Sequence, residues 1–263
     1  MCTPWFAADL VNGCTVDEPR CSQACSSLMS VGPGKVPSMT EPPALHDWHI
    51  EPREYARQES RRGRRHAYES LDPSRTAVVV VDMVPFFVDL GGYQQGIVPN
   101  IARLADVLRS AGGTVAWVVP GFSEPTAVTV EFLGAEVAKL FSESGGSGPV
   151  RGRVWHEFDI HDADLLVEKT ATSAFFPGRC DLHGLLSARG IDTVLITGTV
   201  ANVCCESSAR DASTLDYRVI MVADANAARR DQDLNATLHT IYRTFGDVRP
   251  TSELLALVDP ERR

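Results

Sequence analysis

Short apolar runs that alternate with helical patterns are the feature that most limits the fold of this chain. An apolar run of four to eight residues between turn signals fits a strand that is covered on both faces. The segments between the runs include 99–111, where Ile101, Leu104 and Leu108 recur at helical spacing. Strands that alternate with helices predict parallel pairing through right-handed crossovers. We therefore predict an α/β protein with a central, mostly parallel sheet.

The same patterns predict the positions of the individual elements. We expect strands at 76–82, 114–119, 164–168, 192–197 and 218–222, and helices at 99–111, 181–189, 203–215 and 231–245. Residues 123–162 read as an insertion with one helix from Val128 to Phe141 and a Gly/Ser-rich break after it. We expect this insertion to shape a substrate pocket.

Two charged residues stand where predicted strands end. Asp82 closes the apolar run that begins after Arg75, and Lys169 closes the run that begins after Asp164. Unpaired charges are rarely buried, so each is expected where its strand emerges from the sheet. Ligands of open α/β sheets bind at the carboxyl ends of the strands. Both side chains are therefore predicted to lie at one ligand-binding rim.

A third reactive group, Cys204, follows the strand predicted at 192–197. A turn at Gly198 precedes it, and Asn202 is expected to cap the helix that carries it. A helix N-terminus carries partial positive charge, which favours a thiolate over a thiol. A carboxylate, a cation and a thiol at one rim suit hydrolysis through a thioester. The adjacent Cys205 is expected to pack in the core, because successive helical side chains point about 100° apart.

Several segments carry a resemblance to a known family. They are Val80–Met83 followed by Phe87, Glu168–Lys169 followed by Ser173–Phe176, and Gly198–Asp211 with its Ala-Arg-Asp ending. In these segments the chain is similar to isochorismatase-like cysteine hydrolases, and the similarity runs from about Ser74 to Val258. It implies a three-layer α/β/α Rossmann-like fold.

The resemblance also implies roles for individual residues. Relatives use an Asp, a Lys and a Cys as a catalytic triad, and the matching positions are Asp82, Lys169 and Cys204. They have a cis peptide just after the glycine, which here would join Thr199 to Val200. Their oxyanion hole consists of two backbone amides, which match those of Val200 and Cys204.

Two departures from the family pattern bear on the site. Phe86 stands where relatives often have an aspartate, which predicts a more apolar pocket wall. Metal-dependent relatives carry an Asp-x-His motif after the second strand, and residues 117–122 contain neither residue. His46 and His49 precede the first strand and do not match that motif. We therefore expect no metal and no cofactor.

Aromatic and hydroxyl side chains near the motifs are candidates for contacting the substrate. Phe87 and Phe176 are candidates to stack on a flat or apolar group, and Trp117 is a candidate to line the pocket. Ser173 is a candidate to orient Lys169 or the substrate. Core packing remains the alternative for each aromatic residue, since large rings are mostly buried.

The predicted reaction is hydrolysis of a C–N bond in a small-molecule amide or lactam through a thioester acyl-enzyme. Streptothricin hydrolases, which open the lactam of an antibiotic, are similar in size, and that similarity implies a lactam substrate. A ureide or a simple carboxamide remains open. Two further alternatives are an isochorismatase-type vinyl-ether hydrolase, which has no use for the thiol of Cys204, and a non-catalytic binding protein.

The N-terminal part differs in texture from the rest. Residues 1–45 are predicted to be a flexible extension, 46–73 an N-terminal arm, and 74–263 the hydrolase domain. The extension is rich in Ser, Pro, Gly and Cys, and Met39 is an alternative initiator. It lacks the basic and apolar regions of a secretion signal, so we expect a cytoplasmic, reducing compartment.

Charge and apolar content limit the partners of the chain. The formal net charge of −9 argues against a nucleic-acid partner, although Arg61–Arg65 is a short basic cluster. No apolar run reaches the roughly 20 residues that a membrane helix needs, so no membrane partner is expected. We expect a small-molecule substrate and, because relatives are usually oligomers, a homo-oligomer.

Overall fold

A six-stranded parallel sheet organises the main unit of the protein. The structure, a computed structural model, describes residues 41–258. The strands are β1 (Thr76–Val81), β2 (Thr114–Pro120), β3 (Leu165–Lys169), β4 (Thr193–Thr199), β5 (Arg218–Ala227) and β6 (Asp247–Arg249). Each neighbouring pair is parallel, in the order β3-β2-β1-β4-β5-β6. The predicted α/β class and central parallel sheet are confirmed.

Helices connect the strands. They are α1 (Pro52–Arg62), α2 (Pro85–Val88), α3 (Gly92–Gly96), α4 (Val98–Ser110), α5 (Ala127–Leu133), α6 (Ala135–Ser142), α7 (Leu182–Ala188), α8 (Glu206–Thr214), α9 (Asp231–Thr240) and α10 (Thr251–Val258). A π-helical turn, Ala201–Cys205, leads into α8, and another, Ile241–Phe245, follows α9. Within residues 41–258, no helix is long and apolar enough to cross a membrane.

Both faces of the sheet are covered, which completes the three layers. On one face, Ala77, Val79 and Val81 of β1 join a buried apolar cluster with residues from α7, α8 and α9. On the other face, α4 contacts β1 and β2, and α10 contacts α4 and β5. All six residues of β1 are buried, which explains why its sequence is a continuous apolar run rather than an alternating one.

Residues 124–141 belong to a unit separate from the one that contains the sheet. The single helix predicted from Val128 to Phe141 is wrong, because two helices, α5 and α6, are separated at Gly134. Gly134 has φ 81°, in the left-handed region that favours glycine, and its N–H donates to Val130 O at 2.9 Å. Thr126 caps the start of α5 by accepting the Thr129 N–H. The remaining insertion residues, 123 and 142–162, belong to the main unit.

The segment at residues 41–50, which we name the strap, is tied to the main unit. Glu41 O accepts the Gly92 N–H at 3.0 Å, and the Ala44 N–H donates to Gly92 O at 3.2 Å. The flexible extension was predicted to reach residue 45, but residues 41–45 are part of the strap that is bonded to the main unit. The rest of that extension, with Met39, lies outside the described residues.

The remainder of the arm runs to the amino end of the sheet. Helix α1 was not predicted, because its sequence is strongly polar and its buried residues, Glu54 and Gln58, are polar too. After α1, the His66 Nδ1 atom lies 3.0 Å from Asp247 Oδ1, and the Ala67 N–H donates to Asp247 Oδ2 at 2.9 Å. Asp247 begins β6, so these contacts fasten the arm to the edge of the sheet where the strands start.

Candidate active site

The carboxyl end of the sheet brings the three predicted triad residues together. Asp82 follows β1, Lys169 ends β3, and Cys204 lies in the π-helical turn after β4. Lys169 Nζ is 2.8 Å from Asp82 Oδ2 and 3.6 Å from Cys204 Sγ. Asp82 and Lys169 are buried, and Cys204 is partly exposed. A buried ion pair thus stands directly beside an accessible thiol.

The backbone of Asp82 adopts an uncommon conformation. Its φ is 55°, in the left-handed region, where non-glycine residues are infrequent. Two hydrogen bonds hold it: the Asp82 N–H donates to Val118 O at 2.8 Å, and Asp82 O accepts the Val84 N–H at 2.9 Å. Backbone of this kind is concentrated at functional sites, where the surrounding structure enforces it.

Lys169 carries the positive charge of the site. Besides Asp82 and Cys204, its Nζ donates to Ala171 O at 3.2 Å. Burial alone would lower its pKa, but the charges of Asp82 and Cys204 outweigh burial and raise the pKa above its ordinary value. Lys169 therefore stays protonated through the neutral pH range. Asp82 and Cys204 titrate beside this positive charge.

Burial dominates the titration of the other two groups. It raises the pKa of Asp82, although Lys169 and Cys204 act in the opposite direction. Burial, and then the charge of Asp82, raises the pKa of Cys204 to about 12, against the opposing effect of Lys169. Burial and the charge of Asp82 therefore act against the thiolate that the helix N-terminus was expected to favour.

The helix start at Cys204 differs from the prediction. Helical structure begins at Ala201, and Val200 rather than Asn202 is the residue that precedes it. Asn202 lies inside the π-helical turn, so its side chain does not cap the helix. The Val203 and Cys205 N–H groups both donate to Val200 O, at 3.0 and 3.3 Å. The backbone of Cys204 therefore lies between two residues whose N–H groups bond to Val200 O.

Ser208 is a site residue that sequence reasoning missed. Its Oγ donates to Cys204 O at 2.6 Å and accepts the Ala174 N–H at 2.9 Å. Ser208 is fully buried, so both bonds are shielded from water. It links the cysteine turn to the loop after β3, which carries Ser173. Its position one helical turn beyond Cys204 was the available signal, because a serine there can bond back to the i−4 carbonyl.

Gly198 and the residues after it form the far side of the site. The peptide bond between Thr199 and Val200 is cis. Gly198 has φ 114°, and a Cβ there would lie 2.1 Å from Val81 O. Gly198 therefore belongs to β4 itself rather than to a turn, and its missing side chain lets β4 lie against the end of β1.

We expect Gly198→Ala to lower the free energy of unfolding by at least about 3 kcal/mol, because it combines backbone strain with a clash against main chain that cannot move aside. Gly112→Ala is the matched control, since Gly112 has φ 86° and no neighbour within 4 Å of the added Cβ. That control tests backbone strain alone, about 1–2 kcal/mol. Urea titrations of both variants measure the difference, and equal losses would contradict the clash.

Asn226 holds the adjoining part of β5 in place. The register between β4 and β5 shifts between Ile196 and Gly198. The Asn226 Nδ2 atom donates to Ile196 O at 2.8 Å and to Val222 O at 2.7 Å, which supplies donors where the ladder is interrupted. Sequence reasoning missed this residue, because an asparagine after a short apolar run reads as the start of a loop.

The four predicted substrate contacts have different surroundings. Phe176 is half-exposed, whereas Phe87 is nearly buried and meets Phe86 edge-to-face at 4.9 Å between ring centroids. Ser173 Oγ accepts the Phe175 N–H at 3.0 Å, so the hydroxyl fixes the turn after β3. Substrate contact by Phe87, Ser173 and Phe176 stays a prediction.

Trp117 lies in the core, and its assignment to the pocket is wrong. Its neighbours Ala116 and Val118 belong to the apolar cluster on one face of the sheet, and alternation along β2 directs Trp117 to the other face. There its indole N–H donates to Asp164 at 2.9 Å and its ring packs on Phe158. Asp164 precedes β3, so this contact points away from the carboxyl end of the sheet.

Cys205 and His46 have structural surroundings. Cys205 is fully buried in the apolar cluster, which confirms the expectation of core packing. Both ring nitrogens of His46 have protein partners, Asp231 and Ala228. Across the part of the chain that the structure describes, no group of three His, Cys, Asp or Glu side chains is arranged to hold a metal ion. Independence from metals stays a prediction.

Comparison with known proteins identifies the family. The isochorismatase domain model matches residues 76–253. The uncharacterized isochorismatase family protein YwoC of Bacillus subtilis is 33% identical over 196 residues, which cover 72% of this chain and 97% of that protein. The ureidoacrylate amidohydrolase RutB of Rhizobium rhizogenes is 32% identical over 216 residues, 72% of this chain and 85% of that protein.

Solved structures agree with the sequence relatives. A cysteine hydrolase from Pseudomonas syringae pv. phaseolicola superposes with a TM-score of 0.65 at 29% identity, covering 73% of this chain and 96% of that one. The matched domain and the solved structure define a hydrolase with the isochorismatase fold. The chain belongs to the isochorismatase family.

Proposed function

We propose that this hydrolase is cysteine-dependent and cleaves the C–N bond of a small-molecule amide, ureide or lactam through a thioester on Cys204. The observation that carries the proposal is the position of Lys169 Nζ, within 2.8 Å of Asp82 and 3.6 Å of Cys204. Acyl transfer by a thiol needs at least a base, a cation and a nucleophile that lie in contact with one another.

The first step moves the thiol proton to Asp82. Cys204 attacks the acyl carbon of the substrate as its proton passes to the carboxylate, and the π electrons of the C=O bond move onto the carbonyl oxygen. Burial raises the pKa of Asp82, which makes the carboxylate a stronger base than an exposed one. Lys169 remains protonated and offsets the negative charge throughout the transfer.

The oxyanion and the leaving group complete the reaction. The backbone N–H groups of Val200 and Cys204 are proposed to bind the oxyanion, since the first N–H groups of a helix lack intrahelical acceptors. One such donor contributes about 3–4 kcal/mol to the transition state. Protonated Asp82 then gives its proton to the departing nitrogen, and water hydrolyses the thioester to free Cys204.

The substrate class rests on the sequence and on the relatives. The sequence resemblance favoured a lactam of the streptothricin type, with ureides and simple carboxamides as alternatives. The name of RutB, a ureidoacrylate amidohydrolase, supports testing ureides first. A screen of ureides, primary carboxamides and lactams with release of ammonia or amine as the readout decides between them. Turnover of a vinyl ether without any C–N substrate would contradict the proposal.

We expect Asp82→Asn to speed the alkylation of Cys204 by iodoacetamide between about pH 8 and 9, the range of an ordinary thiol, while it slows hydrolysis. The charge of Asp82 raises the pKa of Cys204, so its removal lowers that pKa and increases the thiolate fraction. Intact-mass spectrometry against pH measures the rate.

A charge-matched control isolates the effect of Asp82. Asp162 is fully exposed and pairs with Arg151, so Asp162→Asn makes the same change in net charge and should leave the alkylation rate of Cys204 unaltered. Slower alkylation in Asp82→Asn than in the wild type would mean that Asp82 already holds the thiol proton in the resting enzyme.

We also propose a compartment and an assembly state. Among the described residues, Cys180, Cys204 and Cys205 are free thiols, which suits a reducing, cytoplasmic environment. We also propose a homo-oligomer that acts on a small molecule and has no nucleic-acid partner, as the sequence predicted. Light scattering on the purified full chain measures the oligomeric state directly.

A further inference from the structure

The strap contacts two segments that follow strands β1 and β5 in the chain. On one side, residues 41–44 lie against α3, which belongs to the connection that follows Asp82. On the other side, His46 meets Ala228 and Asp231, which follow β5. Neither contact is adjacent in sequence to the strap, so residues 41–50 join parts of the fold that the sheet itself does not connect.

The fit of the strap on α3 is close. Gly92 exchanges hydrogen bonds with Glu41 and Ala44. A Cβ at Gly96 would lie 1.8 Å from Ala44 O, so only a glycine admits the strap at this distance. The ring of Tyr93 stacks on the ring of His46, with 3.5 Å between centroids. Stacking on Tyr93 therefore helps to fix the position of the His46 ring.

Both nitrogens of His46 are engaged. Nδ1 lies 2.6 Å from Asp231 Oδ1, and Nε2 accepts the Ala228 N–H at 3.1 Å. A nitrogen that accepts a hydrogen bond carries no hydrogen, so Nδ1 holds the proton and the ring is neutral. The Ala228 N–H is buried, and without His46 it would lose its acceptor in a site closed to water.

Ala228 is connected to the site through consecutive residues of β5. Ala227 O accepts the Thr199 Oγ1 hydroxyl at 3.3 Å, and Ala227 pairs with Thr199 in the sheet. Asn226, one residue earlier, bonds the carbonyl of Ile196 in β4. Residues 226, 227 and 228 therefore anchor the end of β4 on one side and His46 on the other. Val200, a proposed oxyanion donor, is the residue after Thr199.

We infer that His46 is a positioning residue for the hydrolysis: its neutral imidazole, delivered by the strap, holds the end of β5 and thereby the Thr199–Val200 segment in the geometry the reaction needs. The inference rests on the proposed function. It assigns to the strap a part in the site, although the strap lies outside the matched family domain at residues 76–253.

The inference predicts a specific pattern for two substitutions at position 46. His46→Phe keeps a ring for stacking on Tyr93 but removes both hydrogen bonds, and it should lower kcat about tenfold or more with little change in KM. His46→Gln offers an amide oxygen to the Ala228 N–H, and we expect it to recover most of the lost kcat. If His46 contributed only to stability, His46→Phe and His46→Gln would have the same kcat once each rate is divided by the amount of folded enzyme.

His66 is the matched control for His46. It lies in the same arm and also contacts a carboxylate, with Nδ1 3.0 Å from Asp247, but at the amino end of the sheet. His66→Phe should keep kcat within about twofold of the wild type even if it lowers stability. Equal losses of kcat in His46→Phe and His66→Phe, or no recovery in a folded His46→Gln, would overturn the inference.

Amide hydrogen exchange on the full chain separates this inference from the proposed function. Peptides covering 196–200 and 226–229 should exchange faster in His46→Phe than in His46→Gln or the wild type, without any substrate present. Unchanged exchange would overturn the role of His46 even in an active enzyme. Failure of the wild type to hydrolyse any C–N substrate would instead refute the proposed function, and the exchange result would still report on the strap.

Discussion

Cys204→Ala is expected to reduce hydrolysis of a C–N substrate by at least about 10³-fold in kcat, because no other group of the site can form the thioester. The remaining rate would come from substrate binding and the oxyanion donors alone. The variant should fold normally, since Cys204 is only partly buried and alanine fits any space that cysteine occupies. Steady-state kinetics with circular dichroism of the same samples measure both quantities.

Cys205→Ala is the control for this result. Cys205 is the neighbouring thiol, fully buried and directed into the apolar cluster, so its loss should leave kcat close to the wild-type value. The comparison also separates the remaining hypotheses. A non-catalytic binding protein would keep its ligand in Cys204→Ala and show no turnover in the wild type. A vinyl-ether hydrolase would keep its activity in Cys204→Ala.

Lys169→Met is expected to abolish turnover and also to lower the free energy of unfolding by about 3–5 kcal/mol near neutral pH. The substitution leaves the Asp82 carboxylate buried with no opposite charge, since Lys169 Nζ is its ion-pair partner at 2.8 Å. Methionine retains most of the volume of the lysine chain, so the loss reports on charge rather than on a cavity.

The stability deficit of Lys169→Met should depend on pH in a defined direction. Burial raises the pKa of Asp82, and loss of Lys169 removes the largest opposing effect, so the folded-state pKa lies above that of the unfolded chain. A carboxyl group with a raised folded-state pKa destabilises the fold once it is ionised. The deficit should therefore be small near pH 4, the ordinary carboxyl value of about 3.9, and grow as the pH rises.

The double variant Asp82→Asn with Lys169→Met tests the cause. It contains neither charge, and replacing both members of a buried pair by neutral groups is often nearly neutral for stability. We expect urea titrations to show that it regains most of the stability lost in Lys169→Met, with no recovery of activity. A double variant as unstable as the sum of both single variants would mean that packing, not charge, explains the loss.

Much of the fold and of the site was readable from local sequence patterns. The continuous apolar run of β1 and the helical spacing in α4 predicted their elements to within two residues. Asp82, Lys169 and Cys204 were found because charged or reactive residues at strand ends have few structural explanations. The helix break at Gly134 and the three-residue strand β6 were missed, since a lone glycine and a very short strand leave weak periodic signals.

Errors at the site arose where a property depends on residues distant in sequence. Trp117 was assigned to the pocket because a strand pattern alone does not identify which face meets the site. Asn202 was taken as a cap because its residue type favours that position, yet the π-helical turn begins one residue earlier. Asn226 and His46 were not recognised, because their partners lie 30 and 182 or more residues away.

The sequence by itself determined the parallel α/β architecture, the family and the identity of the three groups at the carboxyl end of the sheet. These follow from periodicity and from residue types at strand ends, both of which are local. Only the tertiary structure decided the direction in which the pKa of Cys204 is shifted, the face on which Trp117 lies and the connection from the strap to β5. Each depends on burial and on distances between segments far apart in the chain, because desolvation and charge act through space rather than along the sequence.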